Sequence, residues 1–242
     1  FTEASINLAD DRDLMQLMVS AGFRRVFIGI ETPDEASLAE CSKHQNQNRN
    51  LLEDIKLIQR MGLEVQGGFI VGFDHDHPSI FQRQIEFIQK SGIVTAMVGL
   101  LQAPPGTRLY ERMKLESRLR GESSGDNVDG TTNIIPVMNL EALKDGYKSI
   151  LRHIYAPANY YARIRTFLRE YNPPTLQGRF HFTNLLALFR SIYRLGIVGK
   201  ERLHYWKLLF WVQFRRPHLI PEAVMLAIYG YHFRTLCEKN VV

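Results

Sequence analysis

Asp74, His75, Asp76 and His77 are consecutive, and four such side chains in four positions invite a metal reading. The spacing argues against it. In an extended loop neighbouring side chains point in alternate directions, whereas structural metal sites separate ligand pairs by a few residues and draw on two segments. The stretch therefore reads as a loop that caps the helix after it, with Asp76 or Ser79 near the helix start. The glycines in front of it, Gly67, Gly68 and Gly72, make no phosphate cradle, because GxxxxGK[ST] is absent. Cys41 and Cys237 are the only cysteines. Two thiols hold neither an iron–sulfur cluster nor a structural zinc by themselves, and Cys41, in a predicted helix, reads as a structural thiol. Glu31 ends an apolar run, where a buried carboxylate without a partner would be costly.

These residues sit on a repeating pattern. Arg24–Glu31, Leu63–Val71 and Val94–Leu101 are β-rich runs too short for helices, and Phe1–Ser5 reads as the tail of a fourth strand. Helical patterns fill the gaps. Asp10 is placed to cap the first, which carries Leu14, Leu17 and Met18; Asn50–Met61 and Ile80–Lys90 are amphipathic. Each ends at a glycine followed by an apolar residue: Gly22-Phe23, Gly62-Leu63 and Gly92-Ile93. Strand, helix, glycine, strand implies right-handed crossovers and a parallel sheet. Ligands gather at the carboxyl ends of such strands. Here those ends carry Glu31-Thr32-Pro33, Gly72-Phe73-Asp74 and Gln102 to Thr107.

The chain has 242 residues and 45% apolar content, enough for one large or two small domains. It shows no apolar run of transmembrane length and no secretory signal, and two cysteines suit a reducing cytoplasm. It does not begin with Met, and four strands do not close a barrel, so a piece of a longer protein is expected. Charge is uneven. Arg179–Val242 holds ten Lys/Arg against three Glu, a net +7, so residues 1–178 sum to −2 of the total +5; the same stretch holds twelve of the 26 aromatics.

The strings "FTEASINLADD", "AGFRRVFIGIETPDEASLAECSKHQN", "GGFIVGFDHD" and "GLLQAPPGTRLYERM", in this order and spacing, resemble the second half of the partial (β/α)6 barrel of radical S-adenosylmethionine (SAM) enzymes. The branch resembled carries a cobalamin-binding domain and a helical C-terminal extension. The resemblance implies an α/β fold in which a partial (β/α) barrel half, residues 1–117, is followed by a linker, 118–136, and an all-α domain, 137–242. It implies SAM and a [4Fe-4S] cluster as cofactors, with cobalamin as a further candidate. The CxxxCxxC loop for that cluster is not in this sequence, so the cluster ligands and cobalamin domain are expected outside it, in missing N-terminal domains, and the chain alone is expected to be inactive. Residue by residue, Glu31 matches a strand-end group that binds the SAM ribose or amino acid moiety, and Lys43 a base that pairs with its carboxylate. Gly68, Ile70 and Gly72 match the strand that backs the adenine, where His75 stands in place of the family's Glu. Backbone near Ala103 and Pro104 would lie beside the adenine. Lys43 also admits the reading of a solvated helix residue.

The C-terminal part reads as helices. Asn139 is a candidate cap, a helix starts at Pro157 and stops before Pro173-Pro174 with Arg163 and Arg169 on its polar side, and three more patterns span Thr183–Leu195, Lys200–Phe214 and Pro221–Cys237. "LHYWKLLFWVQFRR" is aromatic on nearly every side and ends in two arginines. It suits core packing, docking on the missing domains, or peripheral contact with an anionic membrane. Nucleic acid is disfavoured, since no RRM, KH or zinc-knuckle pattern accompanies the basic and aromatic residues. The implied activity is radical chemistry on a small-molecule or lipid-like substrate, with methylation as one outcome. Two rivals stand beside it: a non-catalytic binding or membrane-associated module, and a (βα) enzyme working by acid–base catalysis through Glu31 and His75. A homodimer would be one way to cover the open sheet edge.

Overall fold

The computed structural model describes residues 1–126, 129–173 and 182–240, and the backbone alone at 182–185 and 240. Four strands, β1 (Thr2–Ala4), β2 (Arg25–Glu31), β3 (Glu64–Val71) and β4 (Ala96–Leu100), form one parallel sheet in the order β1-β2-β3-β4. Helices α1 (Arg12–Ser20), α2 (Glu35–Glu40), α3 (Leu51–Arg60) and α4 (Ser79–Ser91) lie between the strands, and α5 (Arg108–Leu115) follows the last. The C-terminal part is helical, with α6 (Leu140–Tyr155), α7 (Pro157–Glu170), α8 (Phe182–Ser191), a π-helical segment Ile192–Val198, α9 (Arg202–Arg215) and α10 (Ile220–Asn240). The parallel α/β sheet is the one expected from the pattern, and with its helical extension it is the partial (β/α) barrel half that the resemblance implies.

The period of two along the strands separates two faces. Val26, Ile28 and Ile30 of β2, and Val65, Phe69 and Val71 of β3, are buried in one core with Ile55 and Ile58 of α3 and Ile85 and Ile88 of α4. The opposite face carries Phe27, Gly29 and Glu31, then Gln66, Gly68 and Ile70, then Met97, and is only partly covered. Glycines recur on that face: Gly29 pairs with Gly68, and Gly99 with Ile70.

Local corrections to the sequence expectations have physical causes. Asp11, not Asp10, caps α1, accepting from the Leu14 amide at 2.8 Å, while Asp10 ends a short 3-10 turn and pairs with Arg49. Helix α4 has no side-chain cap; Asp76 instead turns back into its own loop. Asn139 caps α6 as expected, and Asn50 caps α3. Cys41 and Lys43 lie just past the end of α2 rather than within a helix. Helix α7 starts at Pro157 and ends at Glu170, before Pro173-Pro174 as expected; Pro174 itself lies outside the described residues.

Arg163 is the largest correction. Far from a polar side, it is fully buried, donating to Ile154 O at 2.9 Å, Val94 O at 3.2 Å and the Gln89 side chain, with its guanidinium 5.1 Å from the Tyr160 ring centroid. Burial pushes its pKa down, and no carboxylate pairs with it among the described residues. The helical part meets the sheet around this contact. Tyr155 donates to Ala96 O at 2.8 Å, and Arg25, paired with the buried Glu64, reaches Met225 and the Tyr229 ring of α10. Helices α6, α7 and α10 therefore close over the amino ends of β2, β3 and β4. Gly92, at φ +72°, lets the α4 terminus meet the α7 backbone: a Cβ there would stand 3.0 Å from Phe167 N.

The stretch expected as a linker is tied down. Arg120 N donates to Asn133 O and Ile135 N to Arg118 O, both at 2.7 Å, so its two ends run antiparallel as a strap; Asn127 and Val128 within it lie outside the described residues.

Candidate functional site

The carboxyl ends of the strands are where backbone groups leave the ladder and need other partners. Buried amides supply them. Asn46 donates to Gly29 O and Ile30 O, both at 3.0 Å. Gln84 of α4 bridges β2 and β3, donating to Ile70 O at 2.8 Å and Glu31 O at 3.4 Å. Asn133 clamps both backbone groups of Ala103, accepting from its N–H at 2.8 Å and donating to its carbonyl at 2.9 Å. Gln102 holds the strap through Asp126 O and Ser124. Asn46 and Gln102 lie within strings that carry the resemblance but have no role assigned there, and Gln84 and Asn133 lie in none.

Asn46 works where β2 changes register, between Gly29 and Glu31. Glu31 takes φ +64°, a left-handed conformation uncommon outside glycine and asparagine. The twist turns its carboxylate back over Gly29, whose missing side chain leaves the room: a Cβ at Gly29 would stand 2.5 Å from Glu31 Oε1 and 3.0 Å from Lys43 Nζ. Lys43 closes the pair at 2.8 Å. The partner that the sequence demanded for Glu31 is thus Lys43, and the structure brings these two expected site residues together. Glu31 is mostly buried and the Lys43 side chain about one-third exposed.

The other expected residues spread along the same rim. The space over Gly68 is taken by the Phe27 ring, 2.9 Å from where a Cβ would stand. Ile70 leans on a small cluster of Phe73, Leu101, Ala103, Met113 and Ile134, which Cys41 also touches. Gly72, at φ +106°, turns the chain out of β3 with its amide held by Asp76. Ala103 is fully buried with both backbone groups engaged by Asn133, while Pro104 beside it is exposed.

The acid–imidazole run resolves into separate jobs. Asp76 is buried and accepts from Gly72 N at 2.8 Å, Phe73 N at 3.2 Å and Ser37 Oγ at 2.9 Å; burial still outweighs these bonds and raises its pKa. Asp74 takes a bidentate pair from Arg118 at 2.6 and 2.9 Å, which holds its pKa down. His75 lies 3.0 Å from Glu40, whose other oxygen accepts from Arg112 at 2.9 Å. The bond to Glu40 raises the His75 pKa. The run thus laces α2, α5 and the strap to the loop after β3. Glu31 is bound to Lys43 and His75 to Glu40, so the acid–base pairing of Glu31 with His75 is not formed. Among the described residues no group of three His, Cys, Asp or Glu could hold a metal ion. Cys41 is half-buried with its thiol pushed up by burial, as befits a structural thiol.

The model of a domain of unknown function, DUF4070, matches residues 107–241, from the end of the rim through α5, the strap and the helices. The chain belongs to this family. It is 37% identical over 237 residues to an uncharacterized methyltransferase of Synechocystis sp. strain PCC 6803, covering 96% of this chain and 44% of that protein. It is 31% identical over 211 residues to the hopanoid C-2 methylase of Rhodopseudomonas palustris, covering 85% and 40%. A bacteriochlorophyllide d C-12(1)-methyltransferase of Chlorobaculum tepidum is 29% identical over 110 residues, covering 46% and 24%. With these relatives the DUF4070 chain falls in the cobalamin-binding-domain branch of the radical SAM superfamily. It spans less than half the length of the curated relatives it matches.

Proposed function

We propose that the chain forms part of the SAM-binding wall of a cobalamin-dependent radical SAM methyltransferase. The observation that carries this reading is the Glu31–Lys43 pair, set by a left-handed residue at a strand end on the partly covered face of the sheet. An amino acid zwitterion needs one cation and one anion side by side, and this pair offers both. Lys43 would meet the SAM carboxylate and Glu31 its ammonium or ribose hydroxyls. Gly68, Ile70 and Gly72 would supply the wall behind the adenine, and Ala103, locked by Asn133, with Pro104 would form its rim. When bound, the cofactor supplies radical and methyl-transfer chemistry; these residues bind and orient it.

The described residues offer no ligand set for an iron–sulfur cluster, so cluster and cobalamin are assigned to parts of the whole protein outside this sequence, and the chain by itself is expected to cleave no SAM. The preceding strands of the barrel would continue the sheet beyond β1. Two relatives are named for methylating hopanoid and bacteriochlorophyllide, and the hopanoid name supports a lipid-like substrate for the whole protein.

The test uses the full-length protein, reconstituted with iron and sulfide. Reductive cleavage of SAM to 5′-deoxyadenosine is expected, and its absence would remove the reaction. Equilibrium dialysis of SAM against Glu31→Gln and Lys43→Ala should show affinity weakened about tenfold or more, as loss of a charge-assisted bond implies. Unchanged affinity in both variants would remove the residue roles.

A further inference from the structure

Helix α9 is apolar on two opposite sides. Tyr205, Leu208 and Val212 are fully buried against the rest of the helical part. At 100° per residue, Leu203, Lys207, Phe210 and Phe214 fall in one narrow stripe on the other side. That stripe is open: Leu203 is 68% exposed, Phe210 58% and Phe214 83%. A surface helix with a polar outer face needs no further partner, but one that turns two phenylalanines and a leucine to solvent does. The π-helical segment flanks α9, fixed by the Trp206 bond to Gly196 O at 2.9 Å, and it too exposes Tyr193, Ile197 and Val198.

Charge selects the partner. Residues 186–216 hold seven Lys/Arg against one acid, Glu201, and that acid is buried against Arg234. Lys207 lies within the apolar stripe, and Arg202 and Arg215 are exposed on the same helix. No helix among the described residues is long and apolar enough to cross a membrane. A helix with aromatic and aliphatic residues outward and cations among them matches a surface whose apolar interior lies beneath anionic headgroups. We propose that the outer stripe of α9, with the neighbouring π-helical segment, lies on an anionic lipid surface, with Phe210 and Phe214 below the headgroups and Lys207 and Arg215 among them. Arg216 has another task, capping the end of α7 through Leu168 O at 2.7 Å and Asn172 at 2.8 Å.

The experiment is sedimentation of the chain with vesicles of phosphatidylcholine alone and of phosphatidylcholine with phosphatidylglycerol. Binding is expected only to the anionic vesicles, with a blue shift in Trp206 and Trp211 emission. Lys207→Glu/Arg215→Glu should lower partitioning by roughly thirtyfold or more, given the worth of each cation at such a surface. Phe210→Ser/Phe214→Ser should abolish the blue shift. Failure of the unaltered chain to sediment with anionic vesicles overturns the proposal without any variant. So does a dimer in analytical ultracentrifugation that Phe210→Ser/Phe214→Ser dissolves, which would give the stripe to a second copy. Equal binding to both vesicle types overturns the role of charge. None of these outcomes depends on SAM binding.

Discussion

Arg163 offers a sharp energetic test because two large effects oppose each other there. Burying a guanidinium without a carboxylate costs several kcal/mol, so replacing it by Met relieves a real penalty. Against this, the change strips the Ile154 and Val94 carbonyls and the Gln89 side chain of their donor. Each orphaned acceptor in a dry site costs about 1–3 kcal/mol. With three acceptors losing one donor fork, the loss outweighs the relief, and Arg163→Met should destabilise by about 2–4 kcal/mol. Arg163→Lys discriminates further. A lysine keeps the buried charge but cannot reach acceptors on α4, on α6 and before β4 with one ammonium, so the change that looks conservative should be at least as damaging as Met. Urea unfolding followed by far-UV circular dichroism and by tryptophan emission reads both. The tryptophans, Trp206 and Trp211, lie on α9, so they report on the helical part. Loss of the clamp should separate their transition from that of the sheet. The reasoning fails if Arg163→Met stays within about 0.5 kcal/mol of the parent, or if Lys is tolerated and Met is not.

Two further outcomes follow from local geometry. Gly92→Ala combines a left-handed φ with a Cβ 3.0 Å from the Phe167 amide nitrogen, and should lower stability by about 2–4 kcal/mol in thermal or urea unfolding; a loss under about 1 kcal/mol would show that α7 yields easily. His75, held by Glu40, should titrate above the usual ~6.5, so its favourable charge is fully present below that pH and fades as pH rises through the raised midpoint. Ring-proton NMR against pH reads it directly, with Glu40→Gln returning the midpoint toward the ordinary value; a midpoint at or below 6.5 in the parent contradicts the pairing.

The strands and their parallel order were legible because glycine-terminated amphipathic helices alternated with apolar runs, and local chemistry alone sets both. The Glu31–Lys43 contact was half legible: the cost of a buried carboxylate demanded a partner, but the left-handed turn that aims Glu31 at Lys43 leaves no trace in residue types. Helical periodicity within α7 alone puts Arg163 on a polar side. Its side is polar only if nothing packs there, and the residues that do, Val94 and Gln89, lie about seventy positions earlier. The amides Asn46, Gln84 and Asn133 were invisible for the same reason: their acceptors are strand-end carbonyls supplied by distant segments. Composition alone gives the strap the polar character of a linker, whereas its two ends are held to each other by backbone bonds and its middle by the Gln102 side chain, which composition does not report.

Helices α6, α7 and α10 close the amino ends of the strands through Arg163, Tyr155 and Arg25, while Glu31, Gly72 and Ala103 crown the opposite ends. These contacts between sheet and extension lie some strand-length away from the rim, where Leu143 of α6 also packs against Gly72. A lineage altering the rim loops would leave the Arg163, Tyr155 and Arg25 contacts in place, so the two parts would stay joined at the amino ends while the rim changed. Sequences that diverge in their rims while keeping a buried arginine against the start of the last strand would be the mark such a history leaves.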